Sequence, residues 1–105
     1  METKIIKLIT GEEVICKVSH SYDTDNNIIG FKFHFPYKII VIPNADENGQ
    51  TKFDVNYLAW MGASADTEFD VSFSSVVSIG SPLPEVEDLY MERYSEYLND
   101  LKEKE

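Results

Sequence analysis

The densest run of chemistry-bearing residues in this 105-residue chain is "SYDTDNN", residues 21–27. Asp23, Asp25 and Asn27 imitate the first three ligands of a calcium loop, where alternate oxygen side chains converge on the cation. Ile28 stands where that loop needs glycine, and His34 where its bidentate glutamate belongs, so the set is incomplete. His20 and His34 are the only histidines and Cys16 the only cysteine, too few donors at these spacings for a four-ligand zinc site. Neither a glycine-rich phosphate loop nor a Ser–His–Asp spacing occurs. Cys16 lies inside the apolar run "VICKV", where a thiol is a small buried hydrophobe rather than a nucleophile. Trp60, in "YLAWMGAS", fits core or subunit-interface packing better than an open stacking platform. The residues therefore point to no catalytic group, no metal and no cofactor, and to a non-enzymatic protein.

The formal net charge is −10, from 19 acids and 9 bases, and residues 85–105 hold 8 of those acids. Nucleic-acid affinity normally begins with Lys and Arg displacing phosphate counterions, and this chain lacks that generic attraction. Any nucleic-acid site must be local. The same charge opposes anionic membranes, and no window approaches the ~18 apolar residues a spanning helix needs. A lone cysteine excludes an intrachain disulfide and suits a reducing compartment, so a cytoplasmic location is expected.

Strands must position these residues. Ile6, Leu8, Val14, Cys16 and Val18 share one face, with Lys7, Glu13, Ile15 and Lys17 between them, and Gly11 makes the turn. In "IIGFKFHF" the alternation predicts Phe31, Phe33 and Phe35 on one face and Lys32 and His34 on the other. Pro36 interrupts the run, and "YKIIVIP", "KFDVNYLAW", "TEFDVSF" and "VVSIG" supply further strands. The end of the chain changes period. Val86, Tyr90, Tyr94, Tyr97 and Leu101 recur at helical spacing, with Leu89 and Leu98 widening the stripe. Pro84 suits the first turn, Glu85, Glu87 and Asp88 its positive end, and Lys102 and Lys104 the other end. The stripe is expected to pack on its own barrel or on a neighbouring subunit.

Leu8, Gly11, Val14, Cys16 and Val18, followed by Asp23 and Asn27, together resemble the first sequence motif of the Sm and Sm-like family. Asp23 to Asn27 keeps that motif's four-residue step but arrives one residue late. Cys16 replaces the small glycine at the bend of a strongly curved strand. The second motif, an apolar strand ending in arginine and glycine, is represented by "VVSIGSP", with Gly80 present and Ile79 in the arginine's neighbourhood. The "LITGEE" opening, the tryptophan-bearing middle strand and a Tyr-rich helix after the barrel are similar to divergent Sm-like proteins of tailed phages, cyanophages included.

The resemblance implies a small, strongly bent, five-stranded antiparallel barrel over residues 1–82, followed by an amphipathic acidic helix over 83–105. It implies a homo-oligomeric ring of about five to seven subunits, closed by edge-strand pairing. It also implies single-stranded RNA binding around the pore. Asp23 and Asn27 would hold a base edge, Tyr22 or Phe31 would stack on it, and Gly80 would mark the second motif. Two alternatives stay open: "DTDNN" is also what a plain hairpin turn looks like, and the ring's partner could be another protein, in an assembly or adaptor role.

Overall fold

The alternating run at the start of the chain folds into a tight antiparallel hairpin of β1 (Glu2–Leu8) and β2 (Glu13–Tyr22). Gly11 takes φ +93° in its turn, a backbone region where a Cβ would be strained, and its N–H donates to the Leu8 carbonyl. The computed structural model describes residues 1–103, so Lys104, expected at the helix end, lies outside the described residues with Glu105. The remaining elements are β3 (Ile28–Ala45), β4 (Thr51–Ala59), β5 (Glu68–Ser72), a 3-10 turn at Phe73–Ser75, β6 (Val76–Gly80) and α1 (Pro84–Glu103). One strongly bent antiparallel sheet runs β4-β3-β2-β1-β6, with β5 also on β3.

Among the described residues there are six strands where five were expected, and the extra one comes from a break. Both β4 and β5 pair with β3, at Tyr37–Ala45 and Gly30–His34 respectively. They are one strand's worth of pairing interrupted by residues 60–67, an excursion in which Trp60 and Met61 lead into a run of small and polar residues that contributes no ladder. Its two ends are tied back to β3: the Trp60 N–H donates to the Pro36 carbonyl and the Phe35 N–H to the Thr67 carbonyl. Conversely, "IIGFKFHF" and "YKIIVIP" fuse into the single long β3, so Pro36 bends a strand without ending it.

That bend reverses part of the expected alternation. Lys17 pairs with His34 and Ile15 with Tyr37, so β3 advances three residues while β2 advances two. The extra residue forms a bulge at Phe35–Pro36, opposite Cys16. Phe35 adopts φ +52°, which costs a non-glycine residue on the order of 1–3 kcal/mol. Past the bulge the facing side chains swap. Phe31 and Phe33 turn into the concave core with Ile6, Leu8, Val14, Cys16 and Val71, while Phe35 points to the opposite side. Ile15, expected among polar neighbours, is fully buried on that side too, which makes the middle of β2 buried on both faces.

Helix α1 covers this second side. Tyr90 is fully buried against Ile15, Phe35, Tyr37 and Tyr57, and its hydroxyl donates to the Phe35 and His34 carbonyls at the bulge (3.0 and 3.2 Å). Tyr57 donates from β4 to the Val86 carbonyl at 3.0 Å, and Tyr97 stacks on Phe35 with ring centroids 4.6 Å apart. The expected stripe is narrower than predicted. Met91 packs with Val86, Tyr90 and Tyr94, whereas Leu89, Leu98 and Leu101 remain exposed. Among the described residues, no helix is long and apolar enough to cross a membrane.

Candidate functional site

Strands β2 and β3 meet in a hairpin whose tip is the polar run 23–27. Asp23 organises it. Its Oδ1 accepts the backbone N–H groups of Asp25 and Asn27, both at 2.9 Å, and its Oδ2 accepts the Asn27 side-chain amide at 3.3 Å. The Asp23 N–H donates to the Asn27 carbonyl, and Asn26 takes φ +64°, tolerable for Asn in a turn. The Asn27 backbone N–H, ahead of the other bonds, holds the Asp23 carboxyl below its usual range, so it stays ionised at neutral pH. The geometry makes Asp23 a turn-builder first. Asn27 keeps its side-chain carbonyl and second amide hydrogen facing out of the turn's bonding, a donor–acceptor pair of the kind that reads a base edge.

Tyr22, Asp23, Asn27 and Phe31 are brought to this one end of the bent sheet. Tyr22 is exposed at the strand end, and Phe31 sits half-buried at the mouth of the concave core. Two further aromatic neighbours, which no spacing in the chain points to, join them. His20 pairs with Phe31 across the strands and stacks on it, with centroids 5.9 Å apart. Phe73, in the 3-10 turn, meets the other side of Phe31 edge-on at 4.9 Å and is itself 45 % exposed. Gly30 lets β5 approach here, since a Cβ on it would lie 2.5 Å from the Val71 carbonyl oxygen. Ser21 ties β2 to β5 by donating to Asp70 at 2.7 Å.

Gly80 does not join this group within one chain. It ends β6 opposite Ile5, whose partner Ile15 lies five positions along β2 from His20, and β1 and β2 separate β6 from β3. The turn beside the hairpin is instead Phe73–Ser75, where the Ser72 hydroxyl accepts the Ser74 N–H. Its residues are Phe and Ser, so no cation stands there. The nearest basic residue along the strand, Lys32, faces the Asp70 carboxylate at 3.8 Å.

A second constellation is assembled across three strands. Ser19 and His34 Nε2 are 2.8 Å apart, and His34 Nδ1 lies 2.9 Å from Glu68 Oε1. With Nδ1 protonated, His34 donates to Glu68 and accepts the Ser19 hydroxyl proton, the bonding order of a hydrolytic relay. These side chains lie on the sheet's outer face, opposite in parity to Val18 and Phe33, where the neighbouring amides serve the strand ladders. Spanning β2, β3 and β5, the three side chains tie the strands together as a cross-strand clasp. No cluster of three or more His, Cys, Asp or Glu among the described residues could hold a metal ion. Cys16 is fully buried and its thiol is pushed up to about 12 by burial, which makes it a poor nucleophile.

Residues 5–91 match the family described as the Sm-like domain, a span from within β1 to Met91 of α1. No curated protein matches the chain.

Proposed function

The chain belongs to the Sm-like family, and from that membership we propose that it works as a non-enzymatic homo-oligomeric ring that binds single-stranded RNA. The observation that carries the ring is the pair of strand edges left open by the topology. Following the antiparallel alternation through β5-β3-β2-β1-β6, the terminal strands β5 and β6 run in the same sense. Pairing them with each other would need a parallel ladder, which takes a crossover of about a dozen residues. Only Phe73–Ser75 links them. The sheet therefore offers one edge on β4 and β5 and a different one on β6, and β6 is apolar, with Val77 65 % exposed. Joining the two different edges head to tail would be a heterologous contact, and family membership favours its closing into a ring, of about five to seven subunits, over an open filament.

In that ring each hairpin tip would sit beside a neighbour, and Tyr22, Asn27, Phe31, His20 and Phe73 would form repeated base pockets. A base stacked on such an aromatic contributes ~1–3 kcal/mol. With no cation at the Phe73–Ser75 turn, the affinity would rest on stacking and base edges, and so depend weakly on salt. The test is a salt titration of the full-length protein with a fluorescent oligo-U. Binding that survives moderate salt and falls with Asn27→Ala supports this reading.

The charge favours a second reading, a ring-shaped protein assembly or adaptor module of phage origin, without nucleic acid. The net charge of −10 and the outer helix face formed by Asp88, Glu92 and Glu96 repel phosphate and suit a basic protein surface. No oligo-U binding at any salt supports this second reading.

A further inference from the structure

Residues 60–67 leave the ladder between β4 and β5, and beneath them the fold keeps a half-enclosed cavity of about 130 Å³. Its walls include Tyr37 from β3, Trp60 and Met61 from the start of the excursion, and Phe69 from β5. Trp60 and Phe69 stand nearly perpendicular (86°) with centroids 5.9 Å apart, so the two rings form adjoining walls. Phe35, with its left-handed backbone, and Pro36 form the floor. The only charged side chain among the lining residues is Asp66, whose carboxylate forms no ion pair with any of the described residues.

We propose that this cavity binds a small methylated ammonium ion of the choline class. The π faces of Trp60, Phe69 and Tyr37 attract a cation whose charge is spread over methyl groups and which loses little hydration on entry. Asp66 at the rim supplies the opposite charge. Size agrees: a dry cavity of about 150 Å³ holds one benzene, six heavy atoms, and a quaternary ammonium centre with its four carbons has five. The chain already uses the same chemistry nearby. Arg93 lies over Tyr37 and Tyr57 at 5.7 and 5.9 Å from their centroids, and Lys17 lies over Tyr94 at 5.5 Å. No lysine or arginine lines the cavity itself, and with Arg93 already over Tyr37 the entering cation is left chiefly to Trp60 and Phe69. The site is on a different part of the sheet from the hairpin tip and does not depend on RNA binding or on the ring.

Trp60 is the only tryptophan and a wall of the cavity, so its emission reports occupancy directly. The full-length protein would be titrated with choline, with its neutral isostere carrying carbon in place of nitrogen, and with a trimethyl-lysine amide. The expected result is a saturable change with choline and binding of the isostere weaker by about tenfold. Asp66→Asn weakens choline severalfold and leaves the isostere unchanged, and Phe69→Leu weakens choline again with an unaltered far-ultraviolet circular dichroism spectrum. Tighter binding of the trimethyl-lysine amide than of choline would assign the ammonium to a modified side chain, and the reverse order to a free quaternary amine. Equal binding of choline and isostere would make the cavity an ordinary apolar socket and overturn the proposal. No saturable change with either would overturn it as well.

Discussion

Replacing Tyr90 by phenylalanine keeps the ring that fills the space between α1 and the sheet and removes one hydroxyl. That hydroxyl shares a single proton between the carbonyls of Phe35 and His34, at 3.0 and 3.2 Å, where the β3 bulge interrupts the ladder. The lost bond is worth about 1 kcal/mol net, and a bulge carbonyl left facing aromatic rings without a donor costs about 1–3 kcal/mol more. Tyr90→Phe is therefore expected to destabilise the fold by about 2–4 kcal/mol. For a domain of this size that lowers Tm by roughly 8–20 °C. Thermal and urea unfolding at one fixed protein concentration measure it, since assembly would make Tm concentration-dependent. Tyr94→Phe is the control: its ring packs in the same cluster, but its hydroxyl bonds to none of the described residues, so it should change stability little. A Tyr90→Phe protein within about 0.5 kcal/mol of the parent would refute the idea that the helix completes the bulge.

Alkaline pH should unfold the protein through its buried acids. Burial raises the ionisation of Cys16 to about 12 and also raises those of Tyr57 and Tyr90. The unfolded chain then releases these protons first, so stability is intact below about 8.5 and falls as pH rises through the unfolded thiol and phenol values. Melting temperatures from pH 7 to 10.5 that stay flat or rise would contradict this. At the acid end the sign reverses: Asp23 is depressed, so its contribution holds above its ordinary value of 3.8 and disappears as pH falls. Asp23→Asn should flatten the acid limb and speed amide exchange at Asn27. Gly30→Ala drives a Cβ to 2.5 Å from the Val71 oxygen and should cost about 1–3 kcal/mol, whereas Gly62→Ala, with its nearest atom at 3.8 Å, should be close to neutral. Paired urea titrations separate them, and equal effects would mean β5 is free to move aside.

The opening hairpin was legible because one side chain type alternates with another and a single glycine stands between the runs. Leu8, Gly11, Val14 and Cys16 all land where the period of two puts them. The helix was legible for the same reason, through Val86, Tyr90 and Tyr94. What the residue pattern hides is the one-residue bulge, since nothing in "FHFPY" says that Phe35 will take a left-handed backbone and send its ring to the other side. From that single residue follow the reversed face of Phe35, the burial of Ile15 and the seat for Tyr90. The segments "KFDVNYLAW" and "TEFDVSF" were already separate in the residue pattern, but that both pair with β3, with the residues flanking "MGASAD" bonded back to it, shows only in three dimensions. The hairpin tip could be read from "YDTDNN", but His20 and Phe73 come to Phe31 through the sheet across 11 and 42 positions respectively, which spacing cannot reveal. Ser19, His34 and Glu68 meet by the same route.

The most direct test of the ring is the absolute mass of the full-length protein, by light scattering behind a sizing column at near-physiological salt. Edges that cannot pair within one chain predict a closed assembly of about five to seven times the 12.0 kDa chain, unchanged on dilution across the column. A mass of one chain would contradict it, because β5 and the apolar edge of β6 would then stand open in water.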